Sequence, residues 1–232
     1  MDLCTLAVGQ PEKMVAGLSP RLRNCTSVEQ AASLLCQELC ARCRSEKDGE
    51  LSLVACRLYV SLPYTGLDPE TARMARKSKS RPTPDDHCLT LVGTYGVEPE
   101  WCDRRLVAGW RVFWLGRYAP PRDPLLKRCF EQVGFDLERL GVDQDRIWVP
   151  RGVFVAEAAK DPAFSEMGDL ARAYGIASGI GGGACLPDGA ISLWIAFSRH
   201  AIGEQGALPL LPLLPSFWYE IRDLYQKRAL FS

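Results

Sequence analysis

The stretch 152–200, GVFVAEAAKDPAFSEMGDLARAYGIASGIGGGACLPDGAISLWIAFSRH, constrains the fold more than any other part of the chain. It reads as strand, short polar helix, strand, tight turn, strand, with small residues wherever the backbone must turn. Val153 to Ala156 form a short apolar run, which Lys160, Asp161 and Pro162 terminate. Over residues 165–174, Met167, Leu170, Ala171 and Tyr174 recur at helical spacing opposite Glu166, Asp169 and Arg172. Gly175 stands where a helix end favours a left-handed residue. Leu186, Pro187, Asp188 and Gly189 then form a turn signal, joining a segment near Ala184 to the alternating run 191–197.

The rest of the chain supplies further elements. Residues 1–26 hold Gly9, Pro11, Gly17 and Pro20 and read as an N-terminal arm. A helix is predicted over 26–44, capped by Thr26 or Ser27 with Glu29 or Gln30 at the capping-box position. It presents Val28, Ala32, Leu35, Leu39 and Cys43 on one face. Asp48 and Gly49 turn the chain into a strand over 51–62, and a charged, proline-broken loop occupies 75–86. A second strand, 88–95, ends at Gly96. The long connection 97–151 carries Trp101, Trp110, Trp114 and Trp148 and an amphipathic piece at 124–140. The last segment, 216–230, starts at a capping Ser216 and places Phe217, Ile221, Leu224, Tyr225 and Arg228 at helical spacing.

Charge narrows the partners. Lys and Arg total 28, as do Asp and Glu, so there is no net field to recruit nucleic acid or anionic lipid. No apolar run approaches the roughly 18 residues that span a bilayer, and the stretch 208–218 is broken by Pro209, Pro212 and Pro215. The N-terminus lacks a basic segment followed by an apolar one, so it is not a secretory signal, and a soluble cytoplasmic protein is expected. Ten irregularly spaced cysteines then read mainly as small buried hydrophobes.

The "DPAF" step, the "YGIASGI" segment and the "LPDGAISLWIAFS" hairpin resemble the second half of a GAF domain, a small sensory fold. The order helix, strand, loop, strand ending in glycine resembles its first half. The resemblance implies an α+β domain over 27–232, an antiparallel sheet with N- and C-terminal helices packed together on one face. An enlarged connection, 97–151, would cover the other face, where the family forms its ligand pocket. The residues expected to line a mostly apolar pocket there are Tyr95, Trp110, Trp114, Phe154, Tyr174, Ile180 and Cys185. The family's terminal helices often build a dimer. Here Phe217, Ile221, Leu224 and Tyr225, with Trp218 on a second side, are the expected interface for a homodimer or protein partner.

Other motifs are weighed against plainer roles. Cys36, Cys40 and Cys43 share the C-x3-C-x2-C spacing of radical iron–sulfur enzymes, but they fall at i, i+4 and i+7 of the predicted helix. A core-facing stripe is the preferred reading, with a metal or cluster as the alternative. His87 and His200 are the only histidines and read as surface residues. Bilin-binding GAF relatives attach their chromophore through a cysteine usually followed by histidine, and no such pair precedes the late hairpin. Gly179 to Gly183 opens no helix, so a bulge or close backbone approach is expected rather than a phosphate loop.

These readings lead to a non-catalytic sensory module that binds a small molecule and signals through a partner or dimer. The cofactor is left unassigned. One alternative is an interaction protein whose pocket is filled by its own tryptophans. The other is an enzyme resembling the GAF-type reductases of free methionine sulfoxide, with Cys102, Cys129 and Cys185 as candidate thiols.

Overall fold

The computed structural model of the chain describes residues 11–43, 51–78, 83–84, 86–115, 122–135 and 149–232. Trp148, the turn at Asp48 and Gly49, and residues 136–140 of the amphipathic piece lie outside them. Six strands make one sheet: β1 (Leu53–Pro63), β2 (His87–Gly96), β3 (Val112–Leu115), β4 (Val149–Glu157), β5 (Ser178–Cys185) and β6 (Ile191–Ser198). Their order is β3-β2-β1-β6-β5-β4, and every neighbouring pair is antiparallel.

Side-chain alternation divides the core into two clusters. Cys56, Leu58, Val60 and Leu62 of β1, with Trp194 and Ala196 of β6, point to one face. Ala55 and Tyr59, with Ile191, Leu193, Ile195 and Phe197, point to the other. Helices α1 (Pro11–Arg23), α2 (Val28–Arg42), α7 (Leu213–Glu220) and α8 (Arg222–Gln226) cover the first face. The connection and helices α4 (Pro124–Val133) and α5 (Gly168–Tyr174) cover the second. Alternation alone predicts half-buried strands. Because both faces are covered, β5 and β6 are buried along their whole length.

Helix α2 forms nearly where its spacing places it. Ser27 is the N-cap, its Oγ accepting from the Gln30 amide at 3.2 Å, while Gln30 Oε1 accepts from the Thr26 amide at 2.9 Å. Residues 11–23 of the expected arm form α1, whose Met14, Val15, Leu18 and Leu22 are buried in the helix-side core. Residues 75–78 of the expected charged loop belong instead to helix α3 (Pro69–Ser78), and residues 79–82 and 85 lie outside the described residues.

The C-terminal segment is not one helix. It begins earlier, at Leu213, breaks at Ile221 and resumes as α8. Its last residues leave the helical path and give their carbonyls to α2: Ala229 O accepts from Val28 N at 2.8 Å and Leu230 O from Glu29 N at 2.9 Å. Those two amides belong to the first turn of α2, where no helical partner exists. Between β6 and α7 the chain makes two short helical turns, α6 (Glu204–Ala207) and a 3-10 turn at Leu208–Leu210.

The glycine run is strand, and it serves close approach. A Cβ at Gly183 would lie 2.5 Å from Val133 Cγ1 and 2.3 Å from the Phe135 ring. Without side chains there, the end of α4 rests directly on β5.

Strand β4 is a sheet edge, and α4 blunts it. Gln132 acts as a surrogate strand: its Oε1 accepts from Val155 N at 2.8 Å and its Nε2 donates to Val155 O at 3.1 Å. Replacing Gln132 by alanine should cost about 1–2 kcal/mol, the worth of a part-buried bond pair whose backbone partners are left open. Urea denaturation of Gln132→Ala against wild type measures this, and an unchanged midpoint would mean the edge does not depend on the amide.

Candidate functional site

The connection-side face of β1 carries an unusual residue for a buried strand. Arg57 stands in the apolar run LVACRLYVSL and is only 6% exposed. Alternation sends it to the same side as Tyr59, two residues on, and its guanidinium carbon lies over the Trp110 ring, 5.1 Å from the centroid. Tyr59 Oη donates to the Trp110 carbonyl at 3.1 Å, which fixes the loop residue above the strand. Around them, Trp110 meets Phe113 at 5.9 Å and Phe197 at 6.1 Å, both edge-on, and Phe164 meets Phe197 at 6.3 Å.

Asp123 adds a carboxyl to this aromatic surround. It is the N-cap of α4, with Oδ1 accepting from Leu126 N at 2.9 Å, and Pro124 follows at the first helical position. Burial pushes its carboxyl above the ordinary aspartate range; Glu166 pushes the same way, while the Leu126 amide and Arg57 oppose. Burial likewise holds the Tyr59 hydroxyl up to about 12, with Arg57 opposing, so it remains a proton donor. The Cys129 thiol, pushed well up by burial and then by Asp123, is no nucleophile at neutral pH.

The Asp123 shift has a pH consequence. Raised in the folded state, the group binds its proton more tightly there than in the unfolded chain. Its contribution to stability is complete below the unfolded value and is lost as pH rises through the folded one. Asp123→Asn keeps the cap and removes this slope. Melting curves between about pH 4 and pH 7 should show the variant losing less stability than wild type as pH rises. Parallel curves would contradict the raised carboxyl.

The expected pocket residues divide between the two faces. Trp110 sits at the centre of the aromatic group, and Phe154, Tyr174 and Cys185 share its cluster. Tyr174 packs on Trp101 at 4.8 Å. Ile180 and Tyr95 belong to the opposite, helix-side core. Trp114 stands at the far edge, stacked on Tyr64 at 5.7 Å and donating through Nε1 to Ala75 O at 2.8 Å. Arg57, Tyr59, Phe113, Asp123, Phe164 and Phe197 were not anticipated for the site. Arg57 had a signal: a single charge inside an otherwise apolar strand.

The expected interface stripe is internal. Phe217, Trp218, Ile221 and Tyr225 are buried and Leu224 partly so, within the core that α1 completes. Tyr225 Oη donates to Asp188 Oδ2 at 2.8 Å, and Arg228 lies 3.4 Å from the same carboxylate, tying α8 to the β5–β6 turn. Tyr219, 55% exposed, is the large apolar residue that α7 leaves at the surface.

Cys36, Cys40 and Cys43 are buried against β1. The Cys56 thiol is raised first by its hydrogen bond with Cys36 and then by burial; that of Cys40 is raised first by burial, then by Cys56, Cys43 and Cys102. Cys102 is exposed, its Sγ 3.4 Å from Gly96 O, and Cys185 closes β5. Among the described residues no group of three or more His, Cys, Asp or Glu is placed to hold a metal ion. His87 opens β2 and His200 is exposed beyond β6. No helix among the described residues is long and apolar enough to cross a membrane.

A wide cleft of about 1120 Å³ lies elsewhere, along β4 between α4 and residues 202–204. Its walls mix Lys127, Arg128 and Lys160 with Glu131, Glu157, Asp161 and Glu204, so neither sign of charge dominates strongly.

No protein-family model matches the chain, and no curated protein matches it in sequence. Solved structures do match in fold. The GAF domain of a phosphoenolpyruvate-protein phosphotransferase from Coxiella burnetii superposes with a TM-score of 0.50 at 15% identity, over 95% of this chain and 98% of that one. Free methionine-R-sulfoxide reductase from Neisseria meningitidis, in complex with its substrate, gives 0.50 at 14% identity, over 98% and 95%. This chain therefore has a GAF-like α+β fold: an antiparallel sheet between terminal helices and a long connection.

Proposed function

We propose that the chain is a non-catalytic regulatory domain that binds a small molecule between the sheet and the connection, at Arg57, Tyr59, Trp110 and Asp123. The observation that carries this reading is the buried Arg57 guanidinium over the Trp110 ring, with the half-buried Asp123 carboxyl within its electrostatic reach, on one face of the sheet. Most core faces are uniformly apolar, and polar groups gathered among rings are what small-molecule sites use to fix orientation. That the Neisseria reductase was solved with its substrate supports a fold able to house a small molecule.

A regulatory output requires the ligand to favour one arrangement of the chain over another. The contacts of Asp188 with Tyr225 and Arg228 give a physical route from the β5–β6 turn to α8. The exposed side of α7 and α8, including Tyr219 and Arg222, is then the surface offered to a protein partner or second copy. The reductase alternative gains nothing from Cys129, whose thiol is held protonated.

Native mass spectrometry of gently purified protein, with a thermal-shift screen of metabolites, tests the reading. The expected result is a retained compound, or a saturable stabiliser whose effect Trp110→Ala abolishes. If no compound binds and Trp110→Ala changes nothing, the pocket reading falls.

A further inference from the structure

Among the described residues three arginines are deeply buried, and two are neutralised. Arg104 lies 3.1 Å from Glu29 and 3.2 Å from Asp68, and Arg111 lies 2.9 Å from Glu70. Arg57 is the exception. No carboxylate comes within 4.0 Å of it among the described residues, and its Nε is buried without a hydrogen-bond partner. Its nearest partners are the Trp110 ring and the Tyr59 hydroxyl, neither of which carries a negative charge, and the Asp123 carboxyl acts on it only from beyond 4.0 Å. A guanidinium out of water and unpaired is costly by several kcal/mol, and the penalty is relieved by an anion that takes its N–H groups.

We infer that Arg57 is the anchor for a carboxylate on the bound molecule, so that the ligand is an organic monocarboxylate with a flat apolar body. This rests on the pocket reading above and specifies the chemistry of that site. Three features select the class. The guanidinium carbon lies over the indole, 5.1 Å from its centroid, and the planar fork of N–H groups matches the two oxygens of a carboxylate. The rings of Trp110, Phe113 and Phe197 suit an apolar, planar remainder. Asp123 and Glu166 share this side of the fold, and their proximity disfavours a doubly charged phosphate against a single carboxylate.

The test uses matched pairs that differ only in charge: benzoate against benzamide, and indole-3-acetate against indole-3-acetamide, titrated by calorimetry at constant ionic strength. With wild-type protein, at least one carboxylate should bind roughly ten- to a hundredfold more tightly than its amide, the span expected for a charge-assisted bond. Arg57→Met should abolish that preference, and Arg57→Lys should keep part of it. Amides binding as well as carboxylates, or a preference that survives in Arg57→Met, would overturn the inference while leaving the pocket intact. If neither member of either pair binds and native mass spectrometry shows a retained neutral compound, the inference likewise falls and the pocket stands. Absence of any bound or binding compound removes both. The wild-type comparison needs no variant, so a destabilised Arg57→Met does not rescue the idea.

Discussion

Gly93→Val should unfold the chain or leave it too unstable to purify. A Cβ at Gly93 would fall 2.4 Å from the carbonyl carbon of Ala32 and 2.7 Å from the Ser33 nitrogen. Both are backbone atoms of α2, so no side-chain rotation relieves the clash; the whole helix must lift from β2. That helix buries Ala31, Ala32, Leu35, Cys36 and Leu39 in the helix-side core, and lifting it opens all of these contacts at once. Overpacking a core costs about 1–3 kcal/mol where side chains can adjust. Here the obstacle is rigid, and a valine brings two further methyl groups, so about 4 kcal/mol or more is expected, a large share of a domain's usual 5–15 kcal/mol. Circular dichroism with thermal melting checks it, with Gly93→Ala as the milder step. A Gly93→Val melt within a degree or two of wild type would show that α2 does not seat where this packing puts it.

That contact illustrates why some features could be read from the sequence and others could not. Helix α2 and strand β6 were legible because their signals are local: a Ser27 cap with Gln30 three residues on, and a strict period of two from Ile191 to Phe197. Gly93 carries no local signal at all; its importance comes from a helix some sixty residues away in sequence. Helix α1 was hidden by Pro11, Gly17 and Pro20, which look like loop punctuation. Yet Pro11 occupies the first helical position, where its missing N–H costs nothing, and tertiary packing of Met14, Leu18 and Leu22 outweighs Gly17 and Pro20. The path of the chain after α8 is likewise non-local, since the Ala229 and Leu230 carbonyls meet the open amides of α2. The site divides the same way. Trp110 follows from composition and the resemblance, whereas the separation of Ile180 from Phe154 depends on strand register, where a single residue exchanges faces. Arg57 was visible as a lone charge, but its meaning required knowing that Glu29, Asp68 and Glu70 are engaged elsewhere.

Trp218→Glu should also destroy the fold, and this outcome separates two views of the C-terminal helices. Read as an exposed apolar stripe, Trp218 belongs to an interface, and glutamate there would yield a folded but dissociated chain. In the structure Trp218 is fully buried inside one chain. Its ring lies 5.3 Å from Phe217 and 5.3 Å from Tyr225, and α1 packs against the same helix. Removing so large a side chain costs about 3–5 kcal/mol. A carboxyl in its place adds the penalty of a buried polar group without a partner. The combined loss should lower the melting temperature by roughly 10 °C or more for a domain of this size. Tyr219→Glu, one residue on and more than half exposed, should leave the melting temperature nearly unchanged. Sedimentation velocity and near-ultraviolet circular dichroism on the two variants decide between the views. A Trp218→Glu chain that stays folded and merely loses an oligomeric state would overturn the intramolecular packing of α1 on α7. Association that Tyr219→Glu alone abolishes, with the fold intact, would place the partner surface on the outer side of α7.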